Sequence, residues 1–159
     1  MILSKTTGYG VMALAYLAGK DASKVCGLQE IAETECIPPI YLRKVLGELR
    51  RHRLLRSVKG IHGGYSLARM PETITIWEVN QILAPDPYID ECILGFGICK
   101  AENACALHES WQRIRREYVE LLESTTIAQI AQSKRRRIFR SLANEDEYFS
   151  PAEDEDEWS

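Results

Sequence analysis

Residues 28–67 read LQEIAETECIPPIYLRKVLGELRRHRLLRSVKGIHGGYSL, and the order of patterns within them decides the fold. Leu28, Ile31 and Ala32 recur at helical spacing, so a short helix over 28–35 turns one face inward. Cys36, Ile37 and Pro38 end it. Pro39 opens the next helix, because a proline in the first turn gives up an N–H that would go unbonded there anyway. That helix, over 39–51, puts Leu42, Val45, Leu46 and Leu49 on one stripe. It leaves Tyr41, Arg43, Lys44, Gly47, Glu48 and Arg50 outside. Taken alone, outward Arg and Lys more often mark simply a solvated helix face.

The residues that follow change that balance. Two strand patterns, over 54–58 and 64–68, flank Lys59-Gly60-Ile61-His62-Gly63-Gly64, a glycine-rich and positively charged hairpin tip. Gly63 and Gly64 are expected to supply the positive φ angles of that turn. Helix, turn, helix and basic ribbon is the order of a winged helix, in which the second helix enters the major groove and the wing reaches the neighbouring backbone or minor groove. The expected DNA contacts are Pro39, Tyr41, Arg43, Lys44 and Arg50 from the helix, and Lys59, Gly60, His62 and Gly63 from the wing.

Upstream, Val11, Leu14, Ala15 and Ala18 mark the inward face of a helix over 4–18, joined by a polar connection over 19–27. Downstream, Thr75 and Glu78 have capping-box spacing and open a helix that Pro85 and Pro87 stop. A longer helix is expected from about Ala106. Its Leu107, Trp111, Ile114, Tyr118 and Leu121 alternate in steps of four and three, the spacing of a coiled-coil seam. About two heptads are too few to hold an isolated helix pair, but enough for part of a dimer interface. Packing on the chain's own core is the competing reading. Thr126 and Gln129 cap a last short helix over 127–132. The expected architecture is mainly α with a small β-wing: a winged helix-turn-helix domain over 1–84, a cysteine-rich loop over 85–105, a dimerisation helix and C-terminal helix over 106–143, and a disordered acidic tail over 144–159.

Between the winged helix and the long helix lies CILGFGICKAENACALH, residues 92–108. It carries three of the five cysteines, Cys92, Cys99 and Cys105, with His108 three positions after the last. Gly95, Gly97 and the lack of apolar period make it a loop. Three soft thiolates and an imidazole suit an iron–sulfur cluster. They suit a structural Cys3His zinc site as well, and unmetallated thiols are a third reading. Cys26 and Cys36 receive no ligand role, and Cys36, in the helix-turn-helix turn, is expected to be a small buried hydrophobe. His52 and His62 read as solvent or phosphate neighbours.

The net charge of −3 conceals two halves. Residues 144–159 hold eight acidic residues and no Lys or Arg, which leaves 20 basic against 15 acidic residues, a net of +5, over 1–143. A mildly basic folded part permits nucleic-acid binding. The stretch Lys134-Arg135-Arg136-Arg137 complements the end of the last helix. No signal peptide or membrane span is legible, so a cytoplasmic address with reduced thiols is expected, and an odd cysteine count suits metal ligands better than disulfides. No phosphate-cradling loop, nucleophile triad or carboxylate pair points to an enzyme or to a small-molecule substrate.

With wing and cysteine loop side by side, residues 1–142 resemble the IscR-type winged-helix regulators, which include the nitric-oxide sensor NsrR and the iron regulator RirA. The resemblance rests on TTGYGVMALAYLA in the first helix, IPPIYLRKVL at 37–46, GIHGGYSL at 60–67 and the three-cysteine loop. It implies a cytoplasmic homodimer with crossing long helices, binding a palindromic operator in double-stranded DNA under the control of a cluster. Cys92, Cys99 and Cys105 match the family's ligands, and His108 matches the fourth ligand of the IscR branch, which favours [2Fe–2S] over [4Fe–4S]. The sensed signal would be iron or cluster supply, redox state or nitric oxide. Six residues separate Cys92 from Cys99 where the family usually has five, and Gly8 stands where the NsrR branch offers a carboxylate ligand. An iron–sulfur or zinc redox protein without operator binding is the alternative, and the basic face of Arg43, Lys44, Arg50 and Lys59 argues against it.

Overall fold

A computed structural model describes residues 3–21, 24–60, 63–85 and 90–133. His62, Pro87, the basic run from Lys134 and the acidic tail lie outside the described residues.

Helix α1 (Lys5–Ala18) is the centre of the molecule rather than one amphipathic layer of it. Ser4 caps its start by accepting from the Thr7 amide at 3.0 Å. Thr7 and every residue from Gly10 to Leu17 are buried, because the other elements pack around the helix on several sides. Gly10 is needed at the crossing with α4 (Ile76–Leu83), since a Cβ there would run into Leu83 Cδ1. Thr7 Oγ1 donates to Asn80 Oδ1 at 2.9 Å, so the buried polar pair between the two helices is satisfied.

Helices α2 (Leu28–Glu35) and α3 (Pro39–Arg51) form the helix-turn-helix. Ile31 and Ala32 of the first, and Leu42, Val45, Leu46 and Leu49 of the second, turn into the shared core as their spacing requires. Cys36 closes α2 in the left-handed region at φ 53, and it is exposed, contrary to the buried hydrophobe expected in the turn. The reason is geometric: a left-handed C-cap residue points away while the next residue, Ile37, enters the core.

Strands β1 (Leu55–Val58) and β2 (Gly64–Leu67) pair antiparallel with Leu55 opposite Leu67 and Val58 opposite Gly64, giving the two-stranded wing. Cys26 adds a bridge to its base: Cys26 N donates to Tyr65 O at 2.9 Å and Tyr65 N to Cys26 O at 2.8 Å. The glycines of the wing differ in role from the expected one. Gly60 holds the positive φ, at 117°. Gly63 and Gly64 are required by close approach, since a Cβ would strike Val58 O at the first and Cys26 O at the second.

A 3₁₀ turn, Pro71–Thr73, leads to α4, which Thr75 caps through the Glu78 amide at 3.2 Å. Helix α5 (His108–Ser124) begins at His108 rather than near Ala106, with Leu107 as its cap. Helix α6 (Ile127–Gln132) carries the expected capping box between Thr126 and Gln129. It returns to the N-terminal body: Ile127 N donates to Ile74 O at 2.9 Å, Ile76 N to Thr125 O at 3.0 Å, and α6 packs along α1. Winged helix, α5 and α6 therefore form a continuous structure, with the cysteine loop held beside α5.

Candidate nucleic-acid interface and metal centre

The inward stripe of α3 leaves its opposite face to solvent. Pro39, Tyr41, Arg43, Lys44 and Arg50 are all exposed, as are Lys59 and Gly60 at the wing tip; Gly63 is half-buried. Among the described residues no ion pair engages Arg43, Lys44 or Lys59, whereas Arg51 pairs with Glu48 at 3.0 Å. Arg50 Nη1 donates to Ser57 Oγ at 3.3 Å, which ties the end of α3 to β1. Ile40 does not stand out in the sequence pattern, yet it is 73% exposed beside Tyr41, on the outer face of the first turn of α3. An exposed aliphatic group among cations is the kind of contact that reads a thymine methyl. The one signal for it in the sequence is its place directly after Pro39, off the buried stripe.

The cysteine stretch is a structured hairpin rather than a loose loop. Glu91 bridges Ile98, Cys92 N donates to Gly97 O at 2.7 Å, and Cys99 N donates to Asp90 O at 2.9 Å. Gly95 and Gly97 turn the chain with φ of 75° and 82°, a conformation that glycine adopts without strain. A 3₁₀ turn, Ala101–Asn103, follows, and Asn103 fastens it by accepting from Lys100 N at 2.9 Å and donating to Ile98 O at 3.0 Å. Ile93, Leu94, Phe96 and Ile98 leave the hairpin tip apolar and open.

Cys92, Cys99 and Cys105 are half-buried free thiols. Cys99 Sγ lies 3.2 Å from His108 Nδ1. Thiolate and imidazole bonds of about 2.3 and 2.1 Å at a tetrahedral centre place sulfur and nitrogen about 3.6 Å apart, so this pair is spaced much as two ligands of one metal ion would be. Among the described residues no three His, Cys, Asp or Glu side chains converge as a metal group, so the hairpin brings two of the four candidate ligands together and leaves Cys92 and Cys105 apart from them. The donor set itself, three thiolates and an imidazole on a chain segment with two turning glycines, fits an iron–sulfur cluster or a zinc ion in chemistry.

Helix α5 meets this hairpin along one face. Trp111 Nε1 donates to Glu91 O at 2.8 Å, Gln112 Nε2 to Cys99 O at 3.2 Å, and Arg115 Nη2 pairs with Asp90 Oδ1 at 3.3 Å. Arg115 Nη1 is buried with no acceptor among the described residues. The five residues of the expected seam divide. Trp111 and Tyr118 are half-buried, the first turned to the hairpin and the second packed on the core. Leu107, Ile114 and Leu121, spaced by seven, are 46%, 51% and 60% exposed.

Cys26 and Glu30 carry shifted acidities. Burial raises the pKa of the Cys26 thiol, with Glu30 adding to the effect. The Tyr16 hydroxyl donates to Glu30 Oε1 at 2.7 Å and holds the Glu30 carboxyl below its ordinary range.

A family model described as Rrf2, iron-dependent transcriptional regulator, matches residues 3–133. The chain belongs to the Rrf2 family. An HTH-type transcriptional regulator named CymR, from Bacillus subtilis, is 30% identical over 82% of this chain and 90% of its own length. The solved structure of B. subtilis CymR, titled the global cysteine regulator, superposes with a TM-score of 0.70 at 29% identity, over 81% of this chain and 95% of that one. IscR of T. potens superposes with a TM-score of 0.63 at 26% identity, over 80% and 84%. The Rrf2 relatives are transcriptional regulators, and this chain is one rather than an enzyme. Their likeness also bears out the winged-helix architecture read from residues 28–67. No helix among the described residues is long and apolar enough to cross a membrane.

Proposed function

We propose that this Rrf2 protein is a homodimeric, sequence-specific DNA-binding regulator whose operator affinity depends on an iron–sulfur cluster held by Cys92, Cys99, Cys105 and His108. The observation that carries the reading is the Cys99–His108 pair at 3.2 Å, on a hairpin fastened to α5, the helix that also bears the exposed Leu107, Ile114 and Leu121 stripe. A histidine in place of one thiolate favours [2Fe–2S] over [4Fe–4S]. When bound, the cluster supplies a centre that iron or cluster supply, redox state or nitric oxide can alter.

The chain's own residues do the rest. Tyr41, Arg43, Lys44 and Arg50 on α3 face the major groove, with Lys59, Gly60, His62 and Gly63 at the wing on the flanking backbone. Two copies joined through the exposed Leu107, Ile114 and Leu121 present two such readers to a palindromic site, with half-sites a helical turn, about 34–36 Å, or a multiple apart. A change in hairpin order alters α5 and so the relative placement of the readers. The cytoplasm, where thiols stay reduced, is the compartment this chemistry requires.

The test is anaerobic purification with visible and Mössbauer spectra, then operator binding by the same sample with and without cluster. A coloured, iron-loaded protein whose two forms differ at least tenfold in affinity is the expected result. A colourless zinc-loaded protein with unchanged DNA binding would overturn the sensing half. Arg43→Ala with Lys59→Ala is expected to weaken operator binding and to flatten the slope of log affinity against log salt by about 0.9 for each phosphate that is no longer neutralised. Unchanged binding would favour a redox protein without an operator.

A further inference from the structure

We infer that Trp111, Gln112 and Arg115 are positioning residues that hold the cysteine hairpin on α5 without any metal, and that they link the state of the hairpin to the helix. The docking stands on contacts in the chain alone; only the link to a sensed cluster rests on the function proposed above.

His108, Trp111, Gln112 and Arg115 stand at i, i+3, i+4 and i+7 of α5 and so share one face. Each reaches a different point at the base of the hairpin: the Cys99 sulfur, the Glu91 carbonyl, the Cys99 carbonyl and the Asp90 carboxylate. Asp90, Glu91 and Cys99 are also where the hairpin's own strands are joined, through Cys99 N to Asp90 O at 2.9 Å and the Glu91–Ile98 bridge. Cys99 is thus held at its sulfur by the first residue of α5 and at its carbonyl by a residue one turn later. The same face continues into Leu122, which is buried in the core. Leu107, Ile114 and Leu121 lie roughly a third of a turn round the helix axis. Helix α5 therefore carries hairpin and core on one face and the exposed apolar stripe on another, and a hairpin that lets go frees α5 at its N-terminal half only.

The experiment compares the full-length wild-type apoprotein with Trp111→Phe/Arg115→Met, which keeps bulk and removes the donors, and with Gln112→Leu. Hydrogen exchange is followed over residues 90–105 and, as a folding control, over α1–α4. In the wild type the hairpin amides are expected to exchange slowly. In the variants they exchange at least tenfold faster while α1–α4 are unchanged, and Arg115→Lys restores part of the protection. After reconstitution with iron and sulfide, the variants are expected to show an altered visible circular dichroism spectrum. Equal exchange in wild type and variants, or fast exchange in both, would overturn the clasp. A wild type that takes up no iron would overturn the cluster reading while the exchange data still judge the clasp.

Discussion

Cys99 Sγ and His108 Nδ1 lie 3.2 Å apart across the joint between the cysteine hairpin and α5. If both bind one iron, the imbalance between neutral imidazole and thiolate sets the potential of the centre. His108→Cys is expected to lower the midpoint potential by on the order of 100 mV, because a thiolate adds negative charge. A redox titration followed by visible absorption checks this. An unchanged potential would remove His108 from the ligand set.

Two glycines separate backbone need from habit. A Cβ at Gly64 would meet the Cys26 carbonyl, so Gly64→Ala is expected to destabilise the protein by about 1–3 kcal/mol and open the Cys26–Tyr65 bridge. Gly47, inside α3, has nothing within 4 Å of its missing Cβ, so Gly47→Ala is expected to add about 0.5–1 kcal/mol. Thermal or urea unfolding of the two variants should move in opposite directions.

The stripe of Leu107, Ile114 and Leu121 is the part of the seam left to solvent in the single chain. Burying such a side chain stabilises by roughly 1.5–3 kcal/mol. Ile114→Glu with Leu121→Glu should therefore weaken a dimer at least 100-fold while leaving the Tyr118 and Leu122 packing intact. Sedimentation over a range of concentrations is the measurement, and an unaltered mass would place the interface elsewhere.

Acidity and exposure order the thiols. Exposed Cys36 should be alkylated first and buried Cys26 last, at least 100-fold more slowly, because burial keeps Cys26 protonated as well as covered. The Cys26 contribution to stability is intact below the ordinary thiol range and is lost as pH rises toward the raised value. Glu30 works in the opposite sense: its bond from Tyr16 helps the fold above the ordinary carboxylate range, and that help is lost as pH falls through the lowered value. Tyr16→Phe should reduce the acid-side part, read from unfolding at pH 3 to 7.

The secondary-structure elements and the basic winged-helix order are legible in local sequence. Leu42, Val45, Leu46 and Leu49 at helical spacing, the caps at Thr75 and at Thr126 with Gln129, and the basic ribbon were each written within a dozen residues, where backbone geometry alone dictates the pattern. The three cysteines and the histidine proposed as ligands were legible on one stretch in the same way. Long-range packing settles what depends on partners distant in the chain: that α6 packs on α1, that Gly64 gives room to the Cys26 carbonyl, that Cys36 faces solvent, and that Trp111 turns to Glu91 rather than joining Leu107, Ile114 and Leu121. Periodicity says which residues share a face, whereas close packing and the need of each buried donor for an acceptor say what that face meets.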